Sequence, residues 1–382
     1  MSDLITAEEA CDRLGIRPQT LYAYVSRGLL DAVADPADSR RSLYRRTDVD
    51  GMAARKVAGR SRPAVAARAI DWGDPVLETS ISTVRRGRLI YRGEDAADWS
   101  ENATLEETAA LLSGVEDWPD EEPPRMPTGE SSGIAGAVGL LARALAGAPP
   151  MFGRSRQAIA AEGAALLKGL AGVLLGGHAG GPAHEMAAAS WDLSPAGGDL
   201  VRRAMVLLAD HELNASTFAV RIVASTGATL PAALAAGLAA LSGPIHGGAT
   251  PRAIAMFEAA MEAEDAAAFF AARLARGERL EGLSHPLYPE GDMRAQALIG
   301  RMDLDDRLRD VIDAAETVWA MRLNVDGALA ALAHTLRLSP EQAFAIFALG
   351  RSAGWIAHAI EQVETGVLIR PRARYRGPLS AE

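Results

Sequence analysis

Cysteine is nearly absent from this chain: Cys11 stands alone among 382 residues. One thiol can form neither an internal disulfide nor a thiolate metal cluster. In a short N-terminal helix it reads as a small hydrophobe. Long hydrophobic runs are missing as well. The Ala/Leu-rich stretches, such as "GATLPAALAAGLAAL" (227–241), are short and broken by Gly and Pro, below the length that spans a bilayer. The opening "MSDLITAEEACDRLG" is too polar and acidic for a signal peptide. These absences predict a cytoplasmic protein with no membrane partner. Alternating β-branched segments are scarce, which argues against a sheet-based fold. Positive charge is in deficit, with a net charge of −10 and a pI of about 5.3. That excludes polyanion binding by the chain as a whole, though not by one of its ends.

What is present is apolar and helical. Hydrophobic residues make up 49% of the chain, enough for a large core and more than one domain. Nearly every periodic segment has helical spacing, so the fold is expected to be all-α. Helix starts are legible at Thr6, before an acidic first turn. Ser339-Pro340 reads as N-cap and first helical position, and Thr250-Pro251 reads the same way.

Residues 1–60 read as a separate unit. "TAEEACDRLGIRPQTLYAYVSRGLL" is helix, Gly-containing turn, helix, and resembles the helix-turn-helix of MerR-type regulators and excisionases. The following "SRRSLYRRTDVDGMAARK" would be the wing and next helix. The stretch 40–62 carries Arg40, Arg41, Arg45, Arg46, Arg55, Lys56, Arg60 and Arg62 against Asp48 and Asp50. A local basic patch on such a motif in an acidic protein makes DNA a candidate partner through residues 1–60. Residues 61–76 read as a linker, and 116–132 as an exposed loop.

The histidines sort by context. His178 and His184 lie in a glycine-rich loop without a third ligand, so no metal site is expected. His334 and His358, inside apolar helices, read as packing or surface residues. His211, His246 and His285 sit in distinctive segments: "ADHELNAST", "GPIHGGA" and "GLSHPLYPEGDMRA". In "LSGPIHGGATPR" (241–252) the imidazole stands in a Gly-rich loop before a helix start. Free N–H groups there favour negative charge, and Gly247 and Gly248 would let backbone approach a ligand. "LNVDGALAAL" places Asp326 at another helix start.

These segments, in this order, resemble the citrate synthase family. "DHELNASTFAVRIVASTGA" (210–228), "AAGLAALSGPIHGGA" (235–249), "GRSAGWIAHAIEQ" (350–362) and "IRPRARYRGP" (369–378) carry the likeness. "TSISTVRRGRLIYRGEDAADWSENATLEETAALLSG" (79–114) matches the family's opening, so the likeness covers about 77–382. It implies a two-lobed helical body behind a small N-terminal winged helix-turn-helix: a large domain of 77–250 with 345–382, and a small one of 251–344. It also implies roles. His246 would hydrogen-bond the thioester carbonyl of acetyl-CoA, Asp326 would remove the methyl proton, and His285 would polarise the ketone of oxaloacetate. His211, Arg294, Arg351 and Arg370 would grip the keto acid, Arg370 from across a dimer interface. The implied reaction joins acetyl-CoA, oxaloacetate and water into citrate and CoA, with no resident cofactor and at least a homodimer. Two alternatives are a 2-methylcitrate synthase using propionyl-CoA and a DNA-binding regulator with a synthase-like sensing body.

The likeness has departures. Ser284 replaces the glycine before His285, Pro286 stiffens the loop, and Pro289 stands where a basic residue often meets CoA phosphates. Thr250 replaces a common Asn. Gly327-Ala328-Leu329 replaces Phe-Tyr-Ser after Asp326, which on sequence leaves room beside the base.

Overall fold

The computed structural model describes residues 4–26, 30–35, 38–50, 52, 77–124, 133–176, 180–279, 281–373 and 377. The expected linker 61–76, the basic residues Arg55, Lys56, Arg60 and Arg62, and His178 lie outside the described residues. The chain divides into two compact units, Met1–Glu78 and Thr79–Glu382.

In the first unit Thr6 forms a capping box with Glu9 and starts the helix Ala7–Leu14, which ends at Gly15 in the left-handed conformation. A second helix follows at Pro18–Ser26. Strand Asp38–Arg45 is central in a three-stranded antiparallel sheet, between Leu4–Thr6 and Ala32–Asp35. Helices and sheet enclose a small core built on Ile5, Leu14, Leu21 and Tyr44, with Cys11 packed as an ordinary apolar side chain. Arg41 and Arg45 on the central strand are exposed, as is Tyr22 on the second helix.

The second unit opens with an antiparallel ribbon, Ser82–Arg85, Arg88–Tyr91 and Glu94–Asp95, and is helical thereafter. Its axis is the helix Pro340–Thr365, begun by a Ser339–Gln342 capping box with Pro340 in the first turn. Every residue of its most apolar 18-residue window is buried. This helix and Arg156–Leu175 are long and apolar enough by composition to cross a membrane, although the sequence shows only short, broken runs. The glycines that interrupt the pattern do not interrupt the helices, because they lie at close crossings. A Cβ on Gly350 would stand 2.7 Å from the Met205 carbonyl, and one on Gly354 would stand 2.6 Å from Asp210 Oδ1. These two glycines, one turn apart, let the long helix lie against the end of helix Pro195–Leu208 and the start of the His211 segment. The Tyr91 hydroxyl, fully buried, sits among the carbonyls of Val206, Leu207 and Asp210 at 3.1–3.2 Å and closes that helix end.

A buried polar chain ties the ribbon to the same place. Arg221 donates to Gln362 Oε1 and to Glu361 Oε2, both at 2.8 Å, and Glu361 accepts from the Ser80 amide and hydroxyl. Arg221 Nη1 also meets His358 Nδ1 at 3.3 Å. A guanidinium only donates, so Nδ1 accepts, the ring proton lies on Nε2, and Nε2 donates to Asp210 Oδ2 at 3.3 Å. His358 is therefore a wholly buried link between charges rather than a packing residue.

Candidate active site

His246 sits in a tight turn. Its amide and that of Gly248 donate to the Gly243 carbonyl, Ala249 N donates to His246 O, and Thr250 N to Gly247 O. The backbone approaching Gly247 and Gly248 is the chain's own: added Cβ atoms would meet Leu241 O at 2.7 Å and Gly243 O at 2.8 Å. The expectation of free amides for an anion is thus corrected for His246, Gly248, Ala249 and Thr250, whose amides the turn consumes. What the loop offers is the imidazole. His246 Nε2 lies 2.9 Å from Ser216 Oγ, which also receives Trp355 Nε1–H at 3.2 Å and lies 2.7 Å from Asn214 Oδ1. Asn214 Oδ1 is already occupied by the Ser216 and Thr217 amides, as the N-cap of helix Ala215–Ser225. The one proton of the Ser216 hydroxyl is placed to go to Asn214 Oδ1; given to Nε2 instead, it would put the ring proton on Nδ1, where a ligand could accept it. Burial lowers the His246 pKa to about 4, with Arg351 adding to it, so the ring is neutral.

Asp326 enters from helix Val325–Leu336, whose N-cap Asn324 accepts from the Asp326 and Gly327 amides. A carboxylate in a first helical turn should have a lowered pKa. Burial wins here and raises it to about 6, against a hydrogen bond from Thr250 Oγ1 and the nearby Arg294. The helix carrying Thr250 starts at Ala249, after Gly248 with no side-chain cap. Thr250 is therefore not the N-cap its Thr-Pro sequence suggests, and its hydroxyl is free to reach Asp326 Oδ1 at 2.5 Å.

The segment 281–292 brings His285. The Leu287 amide donates to its Nδ1 at 3.2 Å, which leaves the proton on Nε2, and burial followed by Arg294 lowers its pKa to about 4. Its ring meets His211 edge-on, with centroids 5.0 Å apart. His211 is buried, its Nε2 is 2.9 Å from the Tyr288 hydroxyl, and burial with neighbouring cations drives its pKa well below the usual value.

The room that Gly327 appears to leave on sequence is filled. A Cβ there would collide with the Gly282 carbonyl, and one on Gly282 would stand 2.9 Å from Gly327 Cα. The pair of glycines lets the His285 segment press on the Asp326 helix. Ser284 pays for this geometry with φ of +61°, where a glycine costs nothing. Its amide donates to Arg322 O and its carbonyl accepts from Asn324 Nδ2. Ser284→Gly keeps both and is expected to stabilise the protein by about 0.5–1 kcal/mol, the relieved strain less the added freedom of the unfolded chain. A rightward shift of the denaturant midpoint would register it.

Two guanidiniums lie buried in the cluster. Arg294 is 2% exposed and pairs with Asp292 through Nε at 3.0 Å and Nη2 at 2.7 Å. Burial works against both charges, but their pairing prevails, raising Arg294 and lowering Asp292. Asp292 also accepts from the Val325 amide at 3.1 Å, which ties the Arg294 segment to the Asp326 helix. Arg351 differs. Its Nε donates to Leu208 O at 2.8 Å, it lies over the Phe347 ring, and no carboxylate among the described residues is within ion-pair distance. Burial lowers its pKa to about 10, with Asp210 opposing. A buried cation with no ion-pair partner suits an anionic ligand.

Six of the seven residues singled out on sequence thus converge: His211, His246, His285, Arg294, Asp326 and Arg351 perturb one another electrostatically. Arg370 does not join them within one chain and is exposed beyond the long helix. Sequence reading missed Tyr288, which touches His211, His285 and Arg294, and Phe347, which packs on His246 and Arg351. Phe347 lies one helical turn before Arg351, so helical spacing was the available signal for it, whereas Tyr288 is brought to His285 by a turn. Asp292 and Ser216 were missed as well.

A family model described as citrate synthase, C-terminal domain, matches residues 157–372, and a helix-turn-helix domain model matches residues 4–57. The chain is similar to citrate synthase 2 of Bacillus subtilis, 35% identical over 48% of this chain and 52% of that one. It is 38% identical to a putative citrate synthase 2 of Mycobacterium tuberculosis over 45% and 50%, and 33% identical to a 2-methylcitrate synthase of Shewanella oneidensis over 45% and 49%. The chain spans about half the length of the curated relatives it matches. 

Among solved structures, the citrate synthase of Thermoplasma acidophilum, in a ternary complex with carboxymethyl coenzyme A and oxaloacetate, aligns with a TM-score of 0.68 at 25% identity over 82% of this chain and 96% of that one. The citrate synthase of Thermotoga maritima aligns with a TM-score of 0.66 at 24% identity over 81% and 96%, a likeness of fold.

Proposed function

The chain belongs to the citrate synthase family, and on that premise we propose that it condenses acetyl-CoA with oxaloacetate and water to give citrate and CoA. The observation that carries this reading is the convergence of neutral imidazoles, buried guanidiniums and one carboxylate with a pKa near 6.

A thioester α-proton is weakly acidic, so a carboxylate alone removes it slowly. In the proposed mechanism His246 donates from Nδ1 to the thioester oxygen and stabilises the enolate as Asp326 takes the methyl proton. The enol carbon then attacks the ketone carbon of oxaloacetate. His285 donates its Nε2 proton toward the ketone oxygen, the tautomer that the Leu287 amide selects. Arg351, Arg294 and His211 hold the keto acid, since guanidinium forks pair carboxylates. Water hydrolyses the resulting thioester and releases CoA. His285, Arg294 and Asp326 come from the segment 251–344, and His211, His246 and Arg351 from the rest. A cleft between a small and a large lobe would therefore run through the cluster, and closure would exclude water.

A homodimer belongs to this reading. Ile134, Val138 and Leu145 project from one exposed face of helix Gly133–Gly147, and Phe152 and Ile222 are exposed too. Arg370 would then act in the partner's site. Propionyl-CoA is the alternative acyl donor, favoured by the likeness to a 2-methylcitrate synthase. The test is CoA thiol release with oxaloacetate and each donor in turn. The higher kcat/KM assigns the substrate, and no release with either donor from folded protein sinks both enzyme readings.

The N-terminal unit supports a second property, DNA binding. Its helix-turn-helix match and exposed Arg41 and Arg45 motivate it. Affinity for duplex DNA is expected to fall steeply, linearly in log–log form, as salt rises. No binding at low salt would remove DNA from the partners, and salt-independent binding would rule out phosphate contacts as its basis.

A further inference from the structure

The base proposed above has one hydrogen-bond donor on its carboxylate among the described residues, and that donor is a side chain rather than a backbone amide. Thr250 is wholly buried, and its hydroxyl reaches Asp326 Oδ1 across 76 positions of sequence. The local turn explains why it can. The helix begins at Ala249, and the Thr250 amide is satisfied by Gly247 O, so neither part of Thr250 is spent on capping.

We propose that Thr250 is the positioning residue for Asp326: it holds Oδ1 and leaves Oδ2 to accept the proton. This inference rests on the condensation reading for its consequence in catalysis, though not for the hydrogen bond itself. A hydroxyl has one proton, so it stabilises the carboxylate most when that group is ionised. The other charges facing Asp326 come from three further elements. Arg294 favours the anion, Asp292 and Glu281 disfavour it, and Arg351 on the long helix also interacts with it. Burial is the larger influence and acts against the anion. Thr250 thus keeps an enclosed base ionised at neutral pH and fixes which oxygen works.

Thr250→Val removes the donor at nearly constant volume, and Thr250→Ser restores it. The direct readout is the carboxyl carbon resonance of Asp326, titrated in protein without substrate and assigned by its loss in Asp326→Asn. The midpoint is expected near pH 6 in the unmodified protein and in the Ser variant, and about one pH unit higher in the Val variant. The acid limb of kcat should move with it, giving roughly 5-fold lower kcat at pH 6 in the Val variant. KM for oxaloacetate should hold. An equal midpoint in all three proteins overturns the proposal. If the unmodified protein shows no turnover, the condensation reading fails, while the titration still decides whether Thr250 governs Asp326.

Discussion

Asp326→Asn is expected to lower turnover by about 10²–10⁴-fold, the usual contribution of a positioned base, while the protein stays folded. Asparagine has nearly the same shape. Its side-chain oxygen can still accept from Thr250, and the backbone amide at 326 still donates to Asn324 Oδ1 at 2.9 Å. What disappears is the proton acceptor. Oxaloacetate affinity should change little, because Arg294, Arg351 and His211 are untouched. A loss confined to kcat, with an unchanged denaturation profile, is the expected pattern. Loss of folding would show that the carboxylate is structural. In the unmodified enzyme kcat should fall as pH drops through about 6, as Asp326 protonates. His246 and His285, neutral down to about 4, remain in their working form across that limb.

Arg221→Ala is expected to produce the largest loss of stability, about 3–5 kcal/mol. Arg221 is 1% exposed and satisfies Glu361, Gln362 and His358 together. Without it, Glu361 keeps its charge in a mostly buried setting, with only the Ser80 donors and the Thr79 hydroxyl to hold it. The His358 ring loses the donor that places its proton on Nε2, and with it the support for Asp210, the neighbour of His211. Arg221→Lys should rescue little, since one ammonium cannot reproduce the planar fork that meets separate acceptors. Equilibrium unfolding in denaturant measures the loss. A change below about 1 kcal/mol would mean that water replaces the guanidinium and that the chain of contacts is dispensable.

Local rules made parts of this molecule legible. The capping boxes at Thr6 and Ser339 are written within four residues, and the structure has both. The site residues on His211, His246, His285 and Asp326 stood out because each lies in a distinctive segment. What was not legible depends on contacts between distant segments. Thr250-Pro251 carries the signal of an N-cap, but the turn from Gly243 starts the helix two residues earlier and redirects the hydroxyl to Asp326. Gly327 reads as space until the Gly282 carbonyl is found in it. His358 reads as packing because Arg221 and Asp210 lie 137 and 148 positions away. Interrupting glycines made Arg156–Leu175 and Pro340–Thr365 look like short runs, whereas they mark where helices cross closely.

The most direct measurement is identification by mass spectrometry of the product formed from acetyl-CoA and oxaloacetate. Citrate and free CoA in equal amounts, absent without oxaloacetate and strongly reduced in Asp326→Asn, is the result expected of a condensation site at this cluster. Unchanged acetyl-CoA in the presence of folded protein and saturating oxaloacetate, or CoA release that needs no oxaloacetate, would contradict it.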